Sequence, residues 1–137
     1  MALAPPPTKR KARDIGKQAE QFALQFLQAR GMRLVTQNFH CRFGEIDLIL
    51  QDNGTLVFAE VRYRKHKNYG TGADSVDARK QQKLLATAAY FLQKNPTMSR
   101  YPCRFDVISL SAARCAGNTM DTTNTHIDWI PNAFQAG

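Results

Sequence analysis

Hydrophobic residues recur at helical spacing in two stretches of the chain and crowd into strand-length runs elsewhere. Ile15, Ala19, Phe22, Ala23, Phe26 and Leu27 make one apolar stripe and predict a helix over 14–30, with Asp14 as N-cap and Gly31 just past its end. Val76, Leu84, Leu85, Ala88, Phe91 and Leu92 make a second, over 75–94, capped by Ser75 and stopped by Asn95-Pro96. Residues 32–39, 44–51 and 56–62 read as three strands between the helices. Residues 103–110 form a fourth, and 125–130 a short fifth that Pro131 places at an edge or a terminus. The order α-β-β-β-α-β-β predicts an α/β domain, a mixed sheet flanked by helices. Residues 1–12 read as a disordered basic tail and 13–137 as a single domain.

The second and third strands are joined by Asp52-Asn53-Gly54-Thr55. Asn-Gly between such runs signals a two-residue hairpin, because a type I′ turn needs positive φ at both central positions. The register follows: Asp52 faces Thr55, Ile49 faces Phe58, Asp47 faces Glu60 and Glu45 faces Arg62, all on one face of the sheet. Two carboxylates then stand opposite each other, Cβ atoms about 4.5–5.5 Å apart. Facing like charges destabilise a sheet, so a metal ion, a shared proton or a cationic neighbour must offset the repulsion. A salt-bridge ladder, Glu45 to Arg62 with Asp47 or Glu60 diagonal to it, satisfies one carboxylate and leaves the other short of a partner.

Charge sharpens the picture. Nineteen Lys and Arg stand against eleven Asp and Glu, a formal +8, which favours an anionic partner such as nucleic acid. Part of the excess is in the tail, which can solubilise the chain or touch phosphates. A second cluster, Arg62, Arg64, Lys65 and Lys67, opens a loop with Tyr63, His66 and Tyr69 interleaved, a composition suited either to solvent or to phosphate contact with base stacking. Arg42 lies just ahead of the hairpin. Arg79, Lys80 and Lys83 occupy the first turns of the second helix, where they oppose the helix dipole and repel one another by about a few tenths of a kcal/mol per pair. Exposure makes that tolerable; a bound anion would relieve it. Glu20 borders the apolar stripe of the first helix and faces either solvent or a cleft.

Three cysteines, Cys41, Cys103 and Cys115, lack metal-ligand spacing and read as reduced thiols, and the three histidines show no zinc spacing. No apolar run approaches the roughly 18–20 residues of a membrane span, and the start lacks a signal-peptide core, so no membrane partner and a cytoplasmic location are expected. There is no Gly-rich phosphate loop. Hard oxygen ligands suit Mg²⁺ or Mn²⁺, which take one or two carboxylates and complete their shell with water and substrate phosphate.

Phe43-Gly44-Glu45-Ile46-Asp47-Leu48-Ile49, followed by Val57-Phe58-Ala59-Glu60-Val61-Arg62-Tyr63-Arg64, resembles the paired signature of the YraN family of uncharacterised bacterial proteins. Lys80-Gln81-Gln82-Lys83-Leu84 and Arg104-Phe105-Asp106-Val107 are similar to its other blocks, in the same order, and the resemblance spans about residues 14–134. More distantly the family resembles archaeal Holliday-junction resolvases and the PD-(D/E)XK nuclease superfamily. The resemblance implies a restriction-endonuclease-like αβββαβ core, Asp47 and Glu60 as metal ligands, and Glu20 as the carboxylate of the first helix. It also implies a homodimer for a resolvase-like role. Arg62 stands where the family pattern has lysine. Arginine is always charged and a poor base, though it clamps phosphate through two hydrogen bonds.

Three functions compete. One is a Mg²⁺- or Mn²⁺-dependent endonuclease on branched or damaged DNA, with Glu20, Asp47, Glu60 and Arg62 as the catalytic set. Its nucleic-acid contacts would come from Arg42, Arg64, Lys65, Lys67, Arg79, Lys80 and Lys83. The others are a non-catalytic nucleic-acid-binding module on the same fold and a protein-interaction domain.

Overall fold

The computed structural model describes residues 8–64, 76–112 and 125–135. The predicted order is present: α1 (Thr8–Gln28), β1 (Arg33–Cys41), β2 (Gly44–Asp52), β3 (Thr55–Arg64), α2 (Ala78–Lys94), β4 (Cys103–Ala112) and β5 (Thr125–Phe134), with a short 3-10 helix at Pro96–Arg100 after α2. The strands form one sheet in the order β1-β2-β3-β4-β5. β3 and β4 are parallel, joined through α2, and the other neighbours are antiparallel. The sheet is therefore mixed, and the arrangement agrees with an αβββαβ core.

Each face of the sheet buries a helix. Leu48, Leu50, Val57, Ala59, Ile108 and Leu110 pack with Ala19, Ala23 and Leu27 of α1. Ile49, Leu56, Phe58, Phe105 and Val107 pack with Leu84, Ala88 and Phe91 of α2. Successive residues of β3 and β4 go to opposite faces, as the pleat requires. β2 departs from that rule: Ile46 joins the α2 side together with Ile49, three residues on. Strict alternation would put it with Leu48 and Leu50, so the pleat slips by one residue at Asp47.

Several boundaries differ from the sequence reading. α1 begins at Thr8, six residues before Asp14, because lysine, arginine and alanine there are good helix formers and nothing breaks the helix before Pro7. The N-cap of α2 is Asp77, whose side chain accepts from the Lys80 amide at 2.8 Å; Ser75 lies outside the described residues. β5 is an edge strand, as Pro131 predicts, but it does not stop there. It continues to Phe134 because its register shifts against β4 between Phe105 and Val107, and proline is tolerated in such an irregularity. Asn53 and Gly54 both have positive φ, 49° and 86°, as the type I′ turn demands. Cys41 and Cys103 are free thiols, and Cys115 lies outside the described residues. Among the described residues no helix is long and apolar enough to cross a membrane.

The turn between β1 and β2 docks on α2 through Gly44. Its φ of +152° disfavours any side chain, and a Cβ there would lie 3.1 Å from Thr87 Oγ1. Thr87 cannot give way easily, since it is fully buried and donates to the Lys83 carbonyl at 2.7 Å. Gly44→Ala is expected to destabilise the fold by about 1–3 kcal/mol, read as a lower denaturant midpoint at unchanged m-value.

Candidate active site

β2 and β3 are paired from the turn outward to Leu48↔Ala59. The predicted register is correct over that stretch. The next pairs, Asp47 with Glu60 and Glu45 with Arg62, do not continue the ladder. Instead the Val61 amide, which regular pairing would aim at the β2 backbone, donates to Asp47 Oδ2 at 2.8 Å. A side-chain oxygen has taken over a ladder acceptor, and the strands part there. Regular alternation therefore could not foresee where Asp47 points.

The parted strands open a cleft of about 1090 Å³ between the two helices. Asp47, Glu60, Arg62 and Arg64 line it from the sheet, Ile15 and Gly16 from α1, and Arg79, Lys80 and Lys83 from the first turns of α2. Asp47 and Glu60 are both buried, 8% and 5% exposed, in a cleft otherwise rich in cations. Lys80 Nζ lies 2.8 Å from Glu60 Oε2, and Arg62 Nη1 reaches the same oxygen at 3.4 Å. Part of the apparent misplacement of cations at the start of α2 is thereby resolved: Lys80 is held there by Glu60.

Asp47 is the strained member of the pair. Burial, then the charge of Glu60, pushes its carboxyl up to about 8 from 3.8; the Val61 amide opposes this, while Glu20 and a hydrogen bond shared with Glu60 reinforce it. Glu20 is raised as well, by burial first and then by Glu45; a hydrogen bond from Asn38 opposes, Glu60 adds to the rise, and Lys17 opposes. Glu20, Asp47 and Glu60, far apart in sequence, thus act on one another electrostatically. Of the three predicted kinds of relief, a cationic neighbour is present on Glu60, and the hydrogen bond between Asp47 and Glu60, with the raised pKa of Asp47, favours a shared proton.

Glu45 sits in the β1–β2 ladder opposite His40, whose Nδ1 is 3.6 Å from its carboxylate. Of the predicted ladder, the contact of Arg62 with Glu60 is present, two residues along one strand, while Glu45 pairs with His40 in place of Arg62. Arg42 is on the β1–β2 turn over the Phe43 ring. Lys65 and Lys67 lie outside the described residues. Sequence reasoning missed Asn38, which takes a positive φ of 55° near the end of β1 and bonds Glu20. Asparagine takes positive φ more readily than most residues, so its presence in a strand is a weak signal for that conformation.

With this geometry in view, comparison with known proteins is decisive about kinship. The model of the "Uncharacterised protein family UPF0102" matches residues 19–110, two thirds of the chain. The chain belongs to UPF0102. A UPF0102 protein of Pseudomonas syringae pv. tomato is 44% identical over 134 residues, covering 98% of this chain and all of the relative. One from Nitrosococcus oceani is 46% identical over 123 residues, 90% of this chain and 93% of the relative. A third, from Pseudomonas putida strain GB-1, is 43% identical over 120 residues. The UPF0102 match contains every residue of the acidic cleft named above except Ile15 and Gly16, which precede it.

Proposed function

We propose that this UPF0102 protein is a nucleic-acid-binding protein that cleaves DNA with the help of a divalent metal ion. One observation carries the reading: two buried carboxylates, Asp47 and Glu60, lie where two strands part, in a cleft rimmed by Arg62, Arg64, Arg79, Lys80 and Lys83. A cationic rim attracts the phosphate backbone, and an acidic floor attracts a small hard cation.

The donor set fits Mg²⁺ or Mn²⁺. Among the described residues no three His, Cys, Asp or Glu side chains form a ready-made cluster, but these ions need one or two carboxylates and take the rest of their shell from water and phosphate. Asp47 and Glu60 would hold the ion. Bound there, it would lower the pKa of an attacking water and stabilise charge on the scissile phosphate. The chain supplies the rest. Arg62 clamps phosphate oxygens, and Glu20 adds negative charge from α1. Lys80 answers the absence of lysine at position 62: its ammonium, 2.8 Å from Glu60, is a lysine donor on the same carboxylate, reached from the helix. It orients the water and shields Glu60. Cutting both strands of a branched substrate would require two copies of the chain.

The test is incubation of the purified protein with duplex, single-stranded and four-way-junction DNA in Mg²⁺, Mn²⁺ or chelator. Metal-dependent cutting that vanishes in Asp47→Asn supports the reading. Salt-dependent binding that is equal in the variant and in chelator, without cutting, would replace it with a binding module. Lys80→Met is expected to lower kcat by about 10²–10³-fold with little change in KM, and Arg62→Met to raise KM more than it lowers kcat. Equal effects of the two on KM would assign Lys80 to phosphate binding alone.

A further inference from the structure

A second feature lies just outside the cleft, on the β1–β2 turn and the exposed side of α2. Phe43 is 39% exposed although it is large and apolar. The Arg42 guanidinium lies 4.8 Å from its ring centroid, and the Tyr90 ring is 6.1 Å away at 61°. Lys94 Nζ lies 5.5 Å from the Tyr90 ring. Tyr90 is half-buried and supported by Phe39, whose centroid is 6.3 Å away. Lys83, Tyr90 and Lys94 follow one another at helical spacing along one stripe of α2. That stripe is about 16 Å long.

The strip is continuous with the cleft. Phe43 immediately precedes Gly44, which lines the cleft together with Lys83. A Cβ on Gly44 would be 3.6 Å from Lys83 Cβ, so turn and helix are in contact where the cleft ends and the strip begins.

We propose that Phe43 and Tyr90, with Arg42, Lys83 and Lys94, form a stacking platform for unpaired nucleotides leaving the cleft, and that the preferred substrate carries a single-stranded stretch beside its duplex. This deepens the nuclease reading and rests on it for the choice of a nucleic acid. An exposed ring and a half-buried one, bracketed by cations, match the alternation of base and phosphate in a single strand. In a duplex the bases are stacked on one another and offer no free face, so a ring at the rim gains little from one. An acidic protein surface would use the three cations but has no bases for the rings.

The test is binding by the wild-type protein and by Phe43→Ala, at fixed salt, to three ligands: a single-stranded oligonucleotide carrying 2-aminopurine, an abasic strand of equal length, and a blunt duplex. Wild type is expected to bind the base-bearing strand about 10-fold more tightly than the abasic one and to quench the 2-aminopurine. Phe43→Ala is expected to abolish both differences while changing duplex affinity less than about twofold. Phe43→Trp should restore them. Equal affinity of wild type for the base-bearing and abasic strands would overturn the platform, as would an unchanged quench in Phe43→Ala. Metal-dependent cutting separates the two ideas. Cutting without a base preference leaves the nuclease and removes the platform. A base preference lost in Phe43→Ala, without cutting, does the reverse.

Discussion

Asp47→Asn is expected to abolish cleavage, by at least about 10³-fold, and at the same time to make the protein more stable at alkaline pH. The first effect follows from removing a carboxylate from the proposed ion-holding pair, an interaction worth several kcal/mol of transition-state stabilisation. The second follows from the environment of the wild-type side chain. Asparagine keeps an oxygen to accept the Val61 amide, which is 2.8 Å from Oδ2 in the wild type, and it has no charge to set against Glu60. A variant that loses function and gains stability is the mark of a site held in place against its own repulsion.

The sign of the pH dependence can be worked out. Asp47 binds its proton more tightly in the folded state, about 8 against 3.8. Its contribution to stability is therefore fully present below about pH 3.8 and is lost as pH rises through about 8. The difference between Asp47→Asn and wild type should be small near pH 4 and grow to about 2–5 kcal/mol at pH 8. Thermal unfolding from pH 4 to pH 9 measures it. Mg²⁺ or Mn²⁺ should raise the wild-type Tm at pH 8, since an ion that binds the folded state alone stabilises it, and should leave Asp47→Asn nearly unmoved. A wild-type curve parallel to the variant's, with no response to either ion, would argue for a carboxylate that never needed a counter-charge.

The sheet and its two helices were legible because their signals are local. The Asn53-Gly54 turn set the register of β2 against β3, and the apolar stripes of α1 and α2 were readable by period. The site was legible in its residue types but not in its geometry. Glu20, Asp47 and Glu60 were all named, yet the argument that paired Asp47 with Glu60 assumed a regular ladder past Leu48. The ladder ends there because one aspartate bonds a backbone amide, an event no periodicity reports. Lys80 was assigned to phosphate because its neighbours on the helix are cations. Its partner is 20 residues earlier, on β3, and only the crossover between parallel strands brings the two together. The Pro131 reading was right about the edge, since β5 is the last strand of the sheet, and wrong about the strand's end: proline ends a regular strand, but β5 is irregular where proline falls and runs on to Phe134.

Asp106→Ala is expected to destabilise the protein by about 3–5 kcal/mol while leaving the cleavage chemistry of the folded molecules intact. Asp106 is fully buried, like the acidic pair, but its surroundings are the reverse. Oδ1 accepts from Arg104 Nε at 3.0 Å and from the Asn132 amide at 2.9 Å; Oδ2 accepts from Trp129 Nε1 at 3.0 Å and from Arg104 Nη2 at 3.3 Å. Arg104 also reaches Asp52 beside the hairpin turn, at 3.1 Å. The carboxylate thus gathers donors from β4 and β5, at the place where the register between those strands shifts. Asn132 takes a positive φ of 53° there, and its amide is turned onto Asp106. Alanine would leave the Trp129 indole and the Asn132 amide without this acceptor and remove the pin that holds the irregular end of β5. Hydrogen exchange should show the loss first in β5, and Tm should fall by about 10 °C or more. Asp106→Asn should fall between, since its amide group would present a donor to donors. Two buried aspartates on one sheet would then separate cleanly by experiment: Asp106, with four hydrogen bonds and an arginine that it shares with Asp52, is needed to fold, and Asp47, with one backbone amide and a carboxylate neighbour, is needed to act.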